Sequence, residues 1–253
     1  FGIDVKDIKK AIDIIKDSKN ISFFGISCHL GSQIFSLIVY EKAFIKMKKI
    51  INFFENNEIS VKHLDLGGGM GFDNNRKLYF KIEKFNKIIK KHFKNEKYEI
   101  SFEPGRFLVA NSGTLISKIL MIKKSGGIDF IIIDAGMNTF IRPALYNSFH
   151  NIVAMIRKKS YHKYVVAGPI CETSDIFAKN IILPKLNIND ILAIQDVGAY
   201  GSVMSSNYNS KILPMEIMIN KNRHSIIRKS QNIRDLILKD KIPIWIKNIK
   251  LIK

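Results

Sequence analysis

Two cysteines in 253 residues, Cys28 and Cys171, are too few and too far apart for a disulfide framework or a structural zinc site, and they suit a reducing compartment. No apolar run approaches the roughly 20 residues that span a bilayer. The first residues, Phe1-Gly2-Ile3-Asp4, lack the basic-then-apolar order of a signal peptide. These absences predict a soluble, cytoplasmic protein with no membrane partner and no metal. Acidic residues are also scarce, 22 against 41 lysines and arginines, for a formal charge of +19. A charge of that size raises nucleic-acid binding, but its distribution argues otherwise. Lys81, Lys84, Lys87, Lys90, Lys91 and Lys94 fall between the apolar positions of a helical segment, on a face that water would cover. No nucleic-acid partner is expected, while small anions benefit from the field.

With 46% hydrophobic residues the chain can bury a real core. The first third alternates between β-like runs and longer amphipathic runs. Asp4 is placed to cap a helix carrying Val5, Ile8, Ile12 and Ile15, followed by a strand over residues 21–26 that ends at Ser27-Cys28-His29. Val39, Ala43, Phe44, Met47, Ile50, Ile51 and Phe54 mark a second helix, and residues 61–66 a strand running into Gly67-Gly68-Gly69. Ile82, Phe85, Ile88, Ile89 and Phe93 mark a third helix, and residues 98–102 a strand ending in Glu103-Pro104-Gly105-Arg106. Past Ala110 come short apolar runs separated by Gly, Pro, Asn and Asp, the texture of a β-rich domain, with helical turns expected in the insertions 138–159 and 171–185. The fold class is therefore α/β plus β, with domains at 1–110 and 111–253. Three strand-helix units do not close a barrel of eight, which takes about 250 residues by itself. A preceding segment is expected.

Ligands of parallel α/β folds bind at the carboxyl ends of the strands. The first strand end offers His29, with Gly31, Ser32 and Gln33 beside it; a histidine there also serves structural roles. The second offers Gly67, Gly68 and Gly69, whose missing β-carbons suit either a phosphate cradle or a plain turn. No GK[ST] ending follows, which disfavours a nucleotide. The third presents Glu103 and Arg106 on a Pro-Gly turn, either a surface ion pair or ligands for a protonated ring nitrogen and an anion. Together these describe a pyridoxal phosphate pocket better than any other cofactor site.

The segments His29-Leu30-Gly31-Ser32-Gln33-Ile34, Leu66-Gly67-Gly68-Gly69 and Glu103-Pro104-Gly105-Arg106 resemble the fold-type III pyridoxal-phosphate decarboxylases, the group acting on diaminopimelate, ornithine and arginine. Four further stretches, Asp134 to Asn138, Ile141 to Tyr146, Gly168 to Asp175 and Asp196 to Tyr200, are similar in order and spacing to the diaminopimelate branch of that family. The likeness runs from Phe1 to about Leu238.

The resemblance implies the C-terminal part of a (β/α)8 TIM barrel over 1–110, followed by a sandwich- or barrel-like β-rich domain. It implies pyridoxal 5'-phosphate as cofactor, with His29 stacked on its ring, Ser32, Gly67, Gly68 and Gly69 at its phosphate, Glu103 at its ring nitrogen, Pro104, Gly105 and Arg106 alongside, and Tyr200 near the phosphate. Arg106, Arg142, Tyr146, Glu172 and Tyr200 match positions that hold the substrate, and Cys171 the position that returns a proton after carbon dioxide leaves. For Cys28, inside a predicted strand, an inert structural role is preferred. The reaction implied is decarboxylation of meso-2,6-diaminopimelate to L-lysine, the last step of lysine biosynthesis, in a homodimer whose active sites are shared through the Cys171 loop. An ornithine, arginine or carboxylated-polyamine decarboxylase is the near alternative; Arg142 argues for a distal carboxylate. A non-catalytic remnant is the alternative of another class. The family's Schiff-base lysine falls in the region expected upstream of Phe1, so residues 1–253 alone are expected not to turn over efficiently.

Overall fold

In the computed structural model, which describes residues 2–94 and 97–246, the chain divides into two compact units, Phe1–Gly113 and Thr114–Lys253. Phe1, where the family likeness was read to begin, lies outside the described residues. So do Asn95, Glu96 and residues 247–253, which the two domain readings include.

In the first unit, the Asp4 side chain accepts the Lys6 N–H at 2.9 Å and caps a single 3-10 turn over Val5–Asp7, from which α1 (Ile8–Asp17) continues. Val5 was expected on the apolar face but is 66% exposed. At three residues per turn rather than 3.6, the tighter coil rotates it away from the stripe of Ile8, Ile12 and Ile15. Then follow β1 (Gly25–Ser27), α2 (Leu37–Glu55), β2 (His63–Gly68), α3 (Ile82–Phe93), β3 (Glu99–Glu103) and a short α4 (Arg106–Val109). The strands form one parallel sheet in the order β1-β2-β3, its crossovers supplied by the helices. Tyr40, Phe44, Met47 and Ile51 recur at helical spacing along the buried face of α2, against Leu64 and Leu66 of β2 and Phe85 and Phe93 of α3. Tyr40, Phe80 and Phe85 meet edge to face at centroid distances of 5.0 to 5.7 Å, the geometry that aromatic quadrupoles favour.

Two further readings of this unit need correction. The strand placed at residues 21–26 enters the ladder only at Gly25. Phe23 leaves it to stack on Phe54 of α2 at 5.0 Å, and the Phe24 carbonyl accepts from Lys62 and His63 before regular pairing begins. Cys28, read as lying inside that strand, follows it, donating its N–H to the Asp65 carbonyl at 3.0 Å. Burial, aided by the Asp65 charge, pushes its thiol upward, which keeps it protonated and inert.

The second unit holds β4 (Thr114–Ser125), β5 (Ile128–Ile133), α5 (Arg142–Tyr146), β6 (Ile152–Ala154), β7 (Tyr161–Ala167), β8 (Ile176–Pro184) and β9 (Ile191–Gln195). After these come β10 (Glu216–Asn220), β11 (Arg223–Arg228) and α6 (Ile233–Ile237). Six strands form a mixed sheet in the order β6-β9-β4-β5-β7-β8, and β10 and β11 form a separate hairpin. The long β4 belongs to both halves of the sheet: Thr114 to Lys118 pair with β9, and Ile119 to Ser125 with β5, across a register shift after Ile119. Such an irregularity bends a sheet, and here the end strands β6 and β8 approach each other so that the sheet curls nearly shut. Ile119, Ile131, Ile133, Val166, Leu192 and Ile194 fill its interior. Of the insertions expected to hold helical turns, 138–159 contains α5, but 171–185 is mostly the strand β8. Ile176, Phe177, Ile181 and Leu183 pair or pack with β7 and the core, and that gain overrides any local turn preference.

Candidate active site

The three strand ends of the first unit are stitched together by glycine. A β-carbon on Gly67 would collide with the Cys28 carbonyl oxygen, one on Gly68 with that of Glu103, and one on Gly69 with that of Gly31. Gly67 and Gly69 also hold φ of +68° and +83°, a region where other residues are strained. The glycine run therefore answers first to close backbone approach. The Gly67 N–H is already committed to Asp65 Oδ1 at 2.8 Å. The loop after β1 is fastened to the same strand end. Ile34 donates to the Gly69 carbonyl at 2.8 Å, and the Gln33 side chain brackets Phe72, donating to its carbonyl and accepting its N–H at 2.7 and 2.8 Å. From beneath, the Tyr40 hydroxyl donates to the Gly68 carbonyl at 3.2 Å; burial pushes that phenol up to about 12.

This frame brings His29 and Glu103 together. His29 Nδ1 lies 3.8 Å from Glu103 Oε2, and the two side chains remain 56% and 62% exposed. Ser32 is exposed on the loop between. Beyond Glu103, Pro104 and Gly105 lead into α4, which Arg106 begins; a β-carbon on Gly105 would meet only open space. An exposed imidazole and carboxylate brought together at the carboxyl edge of a parallel sheet can hold a flat, protonated heteroaromatic ring by its face and its ring N–H.

In the second unit, Arg142 begins α5, with Pro143 set for a first helical turn. Only 9% exposed, its guanidinium carbon stands 4.9 Å from the Tyr146 ring centroid and 5.2 Å from that of Tyr200. Tyr200 adopts φ of +60°, unusual for an aromatic residue, after a turn begun by Asp196 at the same φ. A cation held between two rings keeps its charge and its planar fork, suited to a carboxylate.

Cys171 and Glu172 are exposed on the loop between β7 and β8. The base of that loop is closed by Asp175, only 3% exposed, whose carboxylate oxygens accept the N–H groups of Met137 and Ile170 at 2.7 Å each. Burial lifts the Asp175 carboxyl above its ordinary value, against the lowering effect of those two donors. Glu172 is held below the usual carboxylate range by the Ser174 N–H first and the Tyr208 hydroxyl second. Tyr208 donates to Glu172 Oε2 at 3.3 Å.

The expected site residues thus fall into two sets: His29, Ser32, Gly67, Gly68, Gly69, Glu103, Pro104, Gly105 and Arg106 in the first unit, and Arg142, Tyr146, Cys171, Glu172 and Tyr200 in the second. Sequence reasoning missed Tyr208, which sits in an Asn-Tyr-Asn-Ser stretch that signals only a turn, and it gave Asp175 no role of its own. Among the described residues there is no group of three or more acidic, histidine or cysteine side chains suited to a metal ion, and no helix long and apolar enough to cross a membrane.

A family model described as the C-terminal sheet domain of the pyridoxal-dependent decarboxylases matches residues 23–198. The chain is 36% identical over 248 residues to the diaminopimelate decarboxylase of Zymomonas mobilis, an alignment that covers 97% of this chain and 59% of that protein. The crystal structure of diaminopimelate decarboxylase from M. jannaschii superposes with a TM-score of 0.91 at 32% identity, covering 97% of this chain and 58% of that one. The structure of the M. jannaschii enzyme in complex with L-lysine gives 0.90 at 31% identity, covering 96% and 58%. The chain spans less than two thirds of the length of the curated relatives it matches.

Proposed function

The chain belongs to the pyridoxal-dependent decarboxylase family, and from that membership we propose that the protein containing it converts meso-2,6-diaminopimelate to L-lysine and carbon dioxide. The cofactor is pyridoxal 5'-phosphate. In this reading the first unit is the last part of a (β/α)8 barrel, and the active protein is a cytoplasmic homodimer. The relatives named diaminopimelate decarboxylase, one of them holding L-lysine, support the choice of reaction. The observation that carries it is the exposed His29–Glu103 pair over the glycine-stitched strand ends.

His29 would stack on the cofactor ring, and Glu103 would hold the ring nitrogen protonated. Ser32 and the N–H groups of Gly68 and Gly69 would take its phosphate, and by the family's pattern Tyr200 would also serve that group. When bound, the cofactor supplies an electron sink for the pair of electrons left as carbon dioxide departs. The chain's own residues do the rest. Arg142, between Tyr146 and Tyr200, clamps the carboxylate at the unreacted end of the substrate, together with Arg106, and Glu172 takes the ammonium beside it. The Cys171 thiol gives its proton to the carbon that lost the carboxylate. Because Arg142 requires a distal carboxylate, a substrate that lacks one is disfavoured.

The test uses the full-length protein. Carbon dioxide release is measured with meso-diaminopimelate, ornithine and arginine in the presence of pyridoxal phosphate. Release from diaminopimelate at a kcat/KM far above the other two is expected. Equal or greater release from ornithine or arginine would overturn the substrate assignment, and no release from any of the three would favour a non-catalytic protein.

A further inference from the structure

Two consecutive residues between β5 and α5 hold two separate loops. Met137 gives its N–H to Asp175 and so closes the loop that carries Cys171 and Glu172. Asn138, buried, takes the Ser206 N–H on its own carbonyl at 2.8 Å and donates its side-chain amide to the Ser206 carbonyl at 3.4 Å. The turn that Ser206 begins is braced again by Asn207, whose amide donates to the Lys211 carbonyl at 2.8 Å and to Gln231 Oε1 at 2.6 Å. Within it, Asn209 and Ser210 hold φ of +57° and +54°, two left-handed non-glycine residues in succession. A backbone so disfavoured persists only where its surroundings over-determine it.

What this bracing presents is the Tyr208 hydroxyl. It donates to Glu172 Oε2, while the other carboxylate oxygen is reached by Thr173 Oγ1 at 3.3 Å. The Glu172 charge in turn pushes the Tyr208 phenol upward, with Cys171 adding to the effect, so the hydroxyl keeps its proton and remains a donor. The Ser174 N–H reaches the same carboxylate from within its own loop, so Tyr208 is the contact that comes from another stretch of chain; the rest of the Glu172 side chain is exposed.

We propose that Tyr208 is a positioning residue for Glu172: its hydroxyl fixes the direction in which that carboxylate points and so sets how tightly the ammonium at the unreacted end of the substrate is held. The inference rests on the reading of Glu172 as a substrate ligand. In this reading Tyr208 acts through Glu172, so its removal acts on binding more than on the chemical step.

The experiment is a double-mutant cycle in the full-length holoenzyme with meso-diaminopimelate, comparing Tyr208→Phe, Glu172→Gln and the double variant. Deleting one oxygen from a half-exposed ring leaves the fold intact, which a matched thermal midpoint verifies. Tyr208→Phe is expected to raise KM about threefold to tenfold with kcat held within about twofold, and the double variant is expected to match Glu172→Gln alone. A Tyr208→Phe enzyme with unchanged KM, where Glu172→Gln raises it, overturns the positioning role. So do effects that multiply in the double variant, because the two residues would then act independently. If Glu172→Gln leaves KM unchanged, the assignment of Glu172 falls first, and the role of Tyr208 with it.

Discussion

The Asp175 carboxylate occupies the space in which a β-carbon on Gly168 would have to stand. The two residues also meet through their backbones, the Gly168 N–H donating to the Asp175 carbonyl at 2.9 Å. The loop carrying Cys171 and Glu172 is therefore pinched shut at its base, by one residue that has no side chain and one whose side chain fills the vacancy.

Gly168→Ala is accordingly expected to push the carboxylate off the Met137 and Ile170 N–H groups. Leaving buried polar groups unsatisfied costs about 1–3 kcal/mol, read as a lower urea midpoint of the full-length protein. An unchanged midpoint would show that the carboxylate does not hold the loop.

A β-carbon on Gly68 has no comparable side chain to displace, since it meets the Glu103 backbone. Gly68→Ala should part β2 from β3 at their carboxyl ends, at a loss of about 3 kcal/mol or more. Because Glu103 moves with that backbone, the variant should also retain less pyridoxal phosphate, measured by absorbance after gel filtration. Full retention would sink the account of the glycine run given above.

Arg142→Lys keeps the charge but loses the planar group that fits between Tyr146 and Tyr200. A rise in KM for meso-diaminopimelate of about tenfold, with kcat little changed, is expected. Steady-state kinetics at equal cofactor saturation would settle it, and wild-type KM would remove Arg142 from the substrate site.

Acid stability is expected to depend on Glu41. Its carboxyl is held below the ordinary glutamate value by hydrogen bonds from Lys91 first and His92 second, which tie α2 to α3. For an acid whose folded value is depressed, the stabilisation is present above its unfolded value and is lost as pH falls through the folded one. The thermal midpoint should therefore drop on acidification below 4.5 less steeply in Glu41→Gln than in the wild type. Parallel curves would show that the link contributes nothing.

The alternation of periods made the first unit readable, because α2 and α3 show their buried faces at helical spacing and the strand ends carry glycine or Pro-Gly. The beginning of β1 was not readable. Phe23 and Phe24 look like strand residues, and only the nearness of Phe54 decides that one of them packs on a helix instead. For the same reason β8 was taken as a region of helical turns: its pairing with β7 is a long-range contact. In the candidate site, residue types with distinctive chemistry stood out, His29, Glu103 and Cys171 among them. Residues that act by holding others did not. Asp175, Asn138 and Tyr208 have ordinary local contexts, and what sets them apart is which distant backbone or carboxylate they reach.

Met137 and Asn138 carry a practical implication for altering specificity. Because these neighbours fasten the Cys171 loop with one residue and the Tyr208 turn with the next, the three stretches form one mechanical part built from distant pieces of chain. A graft of the Cys171 loop from a related decarboxylase would arrive without its mounting. Exchanging 134–138, 168–175 and 206–211 together would transplant the part whole.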